Sequence, residues 1–175
     1  MTQDSDHKIN LEQAADKLVQ GYNTMMDKLS EWTEKADENA GPMIINGVKE
    51  AEEFLTDLKE WTAEEIDLIS RYVKRDLQDT AEKMEKENKT FLEWLEFDKQ
   101  LIEDKILSVF ASMADQTRLE LDHLRETANE WHTGEITGIG VLVCQKCGKE
   151  LHFNKPGRIP PCPVCKHTVF KRKGD

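Results

Sequence analysis

Residues 48–133 contain neither glycine nor proline and are rich in Glu, Lys, Leu, Ala and Asp. An all-β domain of that length would need a glycine or proline turn about every ten residues, whereas helices need none. This segment therefore predicts a mainly α fold, with a different structure only in the glycine- and proline-containing part that follows residue 133.

Apolar residues in the first 131 positions recur at helical steps of three and four. This spacing is typical of the buried seam of a packed helix, and strands would instead alternate by two. The spaced positions are Leu11, Ala15, Leu18, Tyr22, Met25, Leu29, Trp32, Ala36; Ile44, Val48, Ala51, Leu55, Leu58; Ile66, Ile69, Val73, Leu77, Ala81, Met84; and Thr117, Leu121, Leu124, Ala128, Trp131.

Breaks between these helices are predicted from capping signals. Gly41 and Pro42 suit a helix end and a helix start, and Thr62 with Glu65 forms a capping box. Further candidates are Asn88 or Asp98 for a turn, and Asp115 as the cap of the last helix. An unbroken helix from residue 62 to 131 would be about 105 Å long, so we expect long antiparallel helices in a hairpin or small bundle.

The segment "FLEWLEF", Phe91–Phe97, places apolar groups almost all round a helix. It is interpreted as core at a helix crossing, with an exposed self-association or partner surface as the alternative. No nucleophile motif, phosphate loop or H-E-x-x-H occurs in the helical part, and Glu120-x-x-His123 has no second copy to complete a di-iron site. We therefore expect a protein without enzymatic activity.

All four cysteines lie near the carboxyl end, in two C-x2-C pairs separated by 14 residues. Each pair folds into a knuckle with its sulfurs on one side, and two knuckles complete a tetrahedron of thiolates. "GVLV", "ELHF" and "HTVFKRK" around them are typical of the short strands of a zinc ribbon. The predicted metal ligands are Cys144, Cys147, Cys162 and Cys165.

One structural Zn²⁺ is the predicted cofactor. Four cysteine ligands close the coordination shell, whereas a catalytic zinc keeps one position for water. His132, His152 and His167 lie near the cysteines in sequence but are not needed as ligands. A rubredoxin-like iron site and a redox-active thiol site are the alternatives, and two disulfides would require an oxidising compartment.

The net charge of −11 is divided unevenly. Residues 134–175 carry eight basic and three acidic side chains (+5), and residues 1–133 carry 16 basic and 32 acidic ones (−16). This asymmetry predicts two domains, an acidic helical region 1–133 and a zinc ribbon 134–175. We expect a protein partner or self-association through the helices; the alternative partner is nucleic acid, contacted through Lys171, Arg172 and Lys173.

The first ten residues, "MTQDSDHKIN", contain neither a basic region nor an apolar region of a secretion signal. No run of 18 apolar residues occurs, so we expect no membrane association through a spanning helix. These features predict a cytoplasmic protein, in which cysteines stay reduced.

The pattern "HTGEITGIGVLVCQKCGKELHF…PPCPVCKHTVFKRK", preceded by "RYVKRDLQD", resembles a bacterial zinc-ribbon-containing family of unknown function, the YbeL-like family. The matching residues are His132, Thr133, Gly134, Glu135, Gly138, Gly140 and the four cysteines. Lys166 departs from the pattern, since the family's second knuckle ends in glycine. The resemblance implies a cytoplasmic bacterial protein with a helical region leading into a ribbon, and it implies no activity.

Overall fold

Helices form the amino-terminal part of this computed structural model, which describes residues 2–35, 43–94, 102–119 and 130–173. The helices are α1 (Thr2–Lys35), α2 (Met43–Leu58), α3 (Ala63–Glu87), the short α4 (Phe91–Trp94) and α5 (Asp104–Leu119). The predicted mainly α fold is confirmed. The predicted break at Gly41 and Pro42 lies outside the described residues, as do Asp98 and the spaced positions Leu121, Leu124 and Ala128.

Helix α3 begins and ends at predicted signals. The Glu65 N–H donates to Thr62 Oγ1 at 3.2 Å, and the Thr62 N–H donates to Glu65 Oε2 at 2.8 Å, which completes the capping box. Asn88 ends the helix in the left-handed region, with φ 50°. Asparagine tolerates this conformation better than most residues because its short polar side chain bonds locally.

The prediction that Asp115 caps the last helix is wrong. Asp115 lies inside α5, which begins at Asp104. Its side chain is exposed, while Met113, Ala114 and Thr117 on either side are buried. The buried face therefore continues past Asp115, and a single exposed aspartate costs too little to end a helix that is packed on both sides of it.

Helices α1 and α3 run in the same direction. Lys17 Nζ lies 2.7 Å from Glu65 Oε2, near the start of α3. Further along both helices, the Tyr22 hydroxyl donates to Asp76 Oδ2 at 2.9 Å. Since the partners advance together along the chain, the two helices are parallel.

Helix α2 runs antiparallel to α1 and therefore to α3. Gly47, near the start of α2, packs closely against Trp32 near the end of α1. Phe54, about two turns further along α2, contacts Lys28, which lies one turn earlier in α1 than Trp32. The Lys28 Nζ is 4.6 Å from the centroid of the Phe54 ring. The three helices thus form the up-down-up core of a small bundle.

The bundle core is continuous across α1, α2, α3, α4 and α5. Its buried members include Tyr22, Met25, Leu29, Ile44, Val48, Leu55, Ile69, Val73, Leu77, Phe91, Phe110 and Met113. Phe91 is 1% exposed, which confirms the core interpretation for the first residue of the "FLEWLEF" segment. Residues 95–97 of that segment lie outside the described residues. No helix in the described part of the chain is long and apolar enough to cross a membrane.

Residues 130–173, the carboxyl-terminal part that the structure describes, contain six short strands: β1 (Trp131–His132), β2 (Ile136–Thr137), β3 (Gly140–Cys144), β4 (Glu150–Phe153), β5 (Gly157–Arg158) and β6 (Val169–Arg172). One antiparallel sheet has the order β1-β6-β3-β4, and β2 pairs with β5 in a second, two-stranded sheet. The three predicted ribbon strands correspond to β3, β4 and β6.

The interpretation of Trp131 as the last seam position of a helix is wrong. Trp131 lies in β1, paired with Phe170 of β6. Its ring is fully buried, with the guanidinium carbons of Arg75 and Arg172 each 4.9 Å from the ring centroid. These contacts come from residues distant in sequence, so helical spacing alone did not reveal the strand. The sheet therefore starts three residues before position 134.

The ribbon packs against α3 through buried polar groups as well as apolar ones. Ile136 and Ile139 join the bundle core, and beside them Asp76 accepts hydrogen bonds from the Trp131 indole and the Gly138 N–H. We call this contact region the junction; it comprises Arg75, Asp76 and Asp79 of α3, residues 131–139, and Arg172. A Cβ on Gly138 would lie 2.5 Å from the Phe110 ring, so glycine is required for this approach.

Candidate metal centre

The first cysteine pair forms a knuckle closed by backbone hydrogen bonds. The Gly148 N–H donates to the Cys144 carbonyl at 2.9 Å, and the Cys144 N–H donates to the Lys149 carbonyl at 2.9 Å. Gly148 has φ +73°, a left-handed conformation that glycine adopts without steric cost. The tight turn directs the sulfurs of Cys144 and Cys147 to the same side.

The second cysteine pair repeats this geometry. The Lys166 N–H donates to the Cys162 carbonyl at 2.9 Å, and the Cys162 N–H donates to the His167 carbonyl at 2.9 Å. Lys166 occupies the position of Gly148 and has φ +61°. Lys166 therefore adopts the left-handed backbone conformation that a glycine would adopt here, and its Cβ makes this conformation strained.

This pair of positions gives a matched prediction. Lys166→Gly should stabilise the metal-bound ribbon by about 1 kcal/mol because it removes the left-handed strain. Gly148→Ala should destabilise it by about the same amount, although a Cβ there meets nothing within 4 Å. Thermal unfolding of both variants with bound zinc measures the difference. A stabilising Gly148→Ala would contradict the strain argument.

The four predicted cysteine ligands come together. Their Sγ atoms all lie within 4.8 Å of one another, with 3.6 Å between Cys144 and Cys165 and 3.5 Å between Cys147 and Cys162. Zn–S bonds near 2.3 Å require sulfurs about 3.8 Å apart in a regular tetrahedron. The observed separations therefore fit a tetrathiolate zinc ion.

The thiols of the cluster shift one another's pKa values. The backbone N–H of Cys165 donates to the sulfur of Cys162 and lowers the pKa of Cys162 to about 6. The N–H of Lys149 favours the thiolate of Cys147, but the sulfurs of Cys165, Cys162 and Cys144 outweigh it and raise the pKa of Cys147 to about 12. Four adjacent thiolates repel one another, so a divalent cation is needed to remove all four protons.

Two of the histidines near the knuckles, His132 and His152, contact carboxylates instead of the cysteine cluster. His132 Nδ1 lies 3.7 Å from Glu135, and His152 Nε2 lies 3.2 Å from Glu150. Within residues 2–35, 43–94, 102–119 and 130–173, the four cysteines are the only group of three or more His, Cys, Asp and Glu side chains close enough to share a metal ion. The described part of the chain thus offers sulfur ligands alone.

The prediction that Arg172 contacts phosphates is wrong for this residue. Its side chain is 1% exposed, with Nη2 3.3 Å from Asp76 Oδ1 and Nε 3.4 Å from Asp79 Oδ2. Residues along β6 alternate between faces, so Arg172 points into the junction while its neighbours Lys171 and Lys173 are half-exposed. A basic sequence cluster does not reveal this alternation unless the packed face of the strand is known.

The helical spacing of apolar residues did not single out the buried polar and charged side chains of α3. Asp76, Thr80 and Lys83 are each less than 6% exposed. They continue the three-and-four spacing that begins at Ile69 and Val73, so their sequence positions already indicated that they lie on the buried face of the helix. Polar residues at seam positions indicate a buried polar contact rather than a solvated face.

Comparison with known proteins agrees with this geometry. A family model described as a zinc-ribbon containing domain matches residues 28–174, which include most of the bundle and the whole ribbon. The chain is also 29% identical, over 160 residues, to "Uncharacterized protein YbeL" from Escherichia coli K12, covering 90% of this chain and 96% of that protein. The YbeL proteins of the O6:H1 and O157:H7 strains give the same identity and coverage. No solved structure matches.

Proposed function

We propose that this chain, which belongs to the zinc-ribbon containing domain family, is a non-enzymatic adaptor whose ribbon holds one structural zinc ion. The observation that supports the metal assignment is the four-sulfur cluster, in which both knuckles have the same hydrogen bonds. Four thiolates fill the tetrahedral shell, so no position is left for a reacting water.

The zinc has a structural task in this proposal. The buried cluster of the ribbon consists of six residues, and two of them, Cys144 and Cys162, are metal ligands. A core this small stabilises a fold weakly on its own. Metal binding adds folding free energy, because the unfolded chain does not hold the ligands in position.

The charge distribution of the ribbon supports a partner with an acidic surface. Its described carboxylates are paired: Glu135 with Arg75 at 2.6 Å and Glu150 with Lys173 at 3.2 Å. Five exposed basic side chains form no ion pair with a described residue; they are Lys146, Lys149, Lys155, Arg158 and Lys166. A tetrathiolate zinc has a formal charge of about −2, so the ribbon retains a surplus of positive charge.

Three of these cations surround the metal end of the ribbon. Lys146 precedes Cys147, Lys149 follows it by two residues, and Lys166 follows Cys165. Because the four sulfurs are within 4.8 Å of one another, the backbones that carry these lysines are also close. We propose that this basic end, rather than the carboxyl-terminal tail, binds an acidic protein surface.

A charge-reversal variant tests the proposed binding surface. Replacing Lys146, Lys149 and Lys166 by Glu should weaken binding of a fluorescent acidic peptide at least about tenfold, and added salt should weaken the wild-type complex. The matched control changes Lys49, Lys59 and Lys86 of the helical part to Glu, which alters the net charge equally. Equal binding by both variants, or a preference for a DNA duplex over the peptide, would contradict the acidic-protein assignment.

A further inference from the structure

Asp76 is a buried carboxylate shared between the bundle and the ribbon, and its side chain is 1% exposed. The bundle supplies two donors, the Tyr22 hydroxyl at 2.9 Å and Arg75 Nε at 3.2 Å. The ribbon supplies two more donors, Trp131 Nε1 at 2.9 Å and the Gly138 N–H at 2.6 Å, and it adds the Arg172 guanidinium, whose Nη2 forms an ion pair with Asp76 Oδ1 at 3.3 Å. Most of the groups that stabilise this charge therefore belong to the ribbon.

The sheet joins these donors directly to the metal ligands. Cys144 pairs with Phe170 of β6, and Phe170 pairs on its other side with Trp131. Arg172 lies two residues after Phe170 and pairs with Leu142 of the same strand that ends at Cys144. If metal loss unfolds this sheet, Trp131 and Arg172 are no longer held beside Asp76.

The electrostatics of Asp76 depend on the folded ribbon. Burial disfavours the charged form, but Arg75, Arg172 and the Gly138 N–H outweigh it and hold the pKa of Asp76 below its ordinary value. Two of those three groups are ribbon groups. Removing them would leave a carboxylate inside the bundle with its burial only partly compensated.

We infer that the metal state of the ribbon controls the order of α3 and α1 through Asp76, so that zinc removal loosens the bundle around this residue. The inference depends on the proposed zinc site. A helical bundle that folded independently of the ribbon would not show this coupling. The order of the helices, and with it the surface that a partner binds, would then depend on whether zinc is bound to the ribbon.

Hydrogen–deuterium exchange of the full chain, zinc-loaded and chelator-stripped, tests this coupling. Stripping should accelerate exchange at least about tenfold in residues 69–80 and 18–25, and much less in residues 44–55 of α2. Ribbon peptides confirm that the metal has been removed. Unchanged exchange in residues 69–80 would overturn the inference, whereas a chain that takes up no zinc would overturn the metal site itself.

Coupling between two sites is reciprocal, so the junction should also affect zinc binding. Asp76→Asn should weaken zinc affinity about fivefold or more in competition with a chelator, although residue 76 is not a ligand. Asp67→Asn is the control, because Asp67 is on the exposed face of α3. If Asp76→Asn fails to fold, Glu135→Gln weakens the junction more mildly and should lower zinc affinity in the same direction. Unchanged zinc affinity in folded Asp76→Asn or Glu135→Gln would overturn the inference.

Discussion

Cys147→Ser is expected to abolish stoichiometric zinc binding, while the wild-type chain retains one zinc per molecule. Structural zinc sites with four ligands bind with about 10–16 kcal/mol of apparent free energy, and a serine hydroxyl is a far weaker ligand than a thiolate. Cys147 is the exposed cysteine, so its substitution removes a ligand without opening a cavity in the ribbon core. Elemental analysis after dialysis against a chelator measures the difference.

His167→Ala is the matched control for this experiment. His167 lies beside the second knuckle and contributes its backbone carbonyl to it, but its side chain is not part of the sulfur cluster. The variant should therefore keep one zinc. Iron in place of zinc in the wild-type protein, or full zinc retention by Cys147→Ser, would contradict the four-cysteine zinc site.

Trp131→Ala is expected to destabilise the folded chain by about 3–5 kcal/mol, the usual cost of removing a fully buried aromatic side chain. The substitution removes the ring that Arg75 and Arg172 both contact, with their guanidinium carbons each 4.9 Å from its centroid. It also removes the indole N–H that donates to Asp76 at 2.9 Å. Urea unfolding of the zinc-loaded protein, followed by circular dichroism, measures the loss.

A pair of conservative variants separates the contribution of the buried Trp131 ring from that of its hydrogen bond to Asp76. Trp131→Phe keeps most of the apolar area and loses a hydrogen bond to a carboxylate, at a cost of about 1.5–3 kcal/mol. Trp61→Phe loses the equivalent bond to the Lys17 carbonyl at 2.9 Å, which is neutral and should cost about 1 kcal/mol. A smaller loss for Trp131→Phe than for Trp61→Phe would show that the junction does not depend on the Asp76 bond.

Local sequence features predicted the elements whose causes are local. The capping box at Thr62 and the left-handed Asn88 depend on residues within a few positions, and both are present in the structure. The ribbon strands were predicted from their spacing around the knuckles. Asp115 was misassigned because a capping residue type was considered without the buried face that continues past it.

The junction could not be predicted from local features, because its parts are distant in sequence. Asp76 is 55 positions from Trp131 and 62 from Gly138. Arg172 looks like one of three adjacent surface cations until β6 is placed in the sheet. Its neighbours then face outwards, and Arg172 faces α3.

The amino-acid sequence by itself determined the helical region and the four-thiolate cluster. Both follow from short-range patterns: helical spacing without glycine or proline, and two cysteine pairs that each close a tight knuckle. Only the tertiary structure decided that Trp131 is a strand residue, that Arg172 is buried and that Asp76 joins the bundle to the ribbon. The physical reason is that a charge can be buried only where distant segments supply its partners together, and packing alone determines which segments meet.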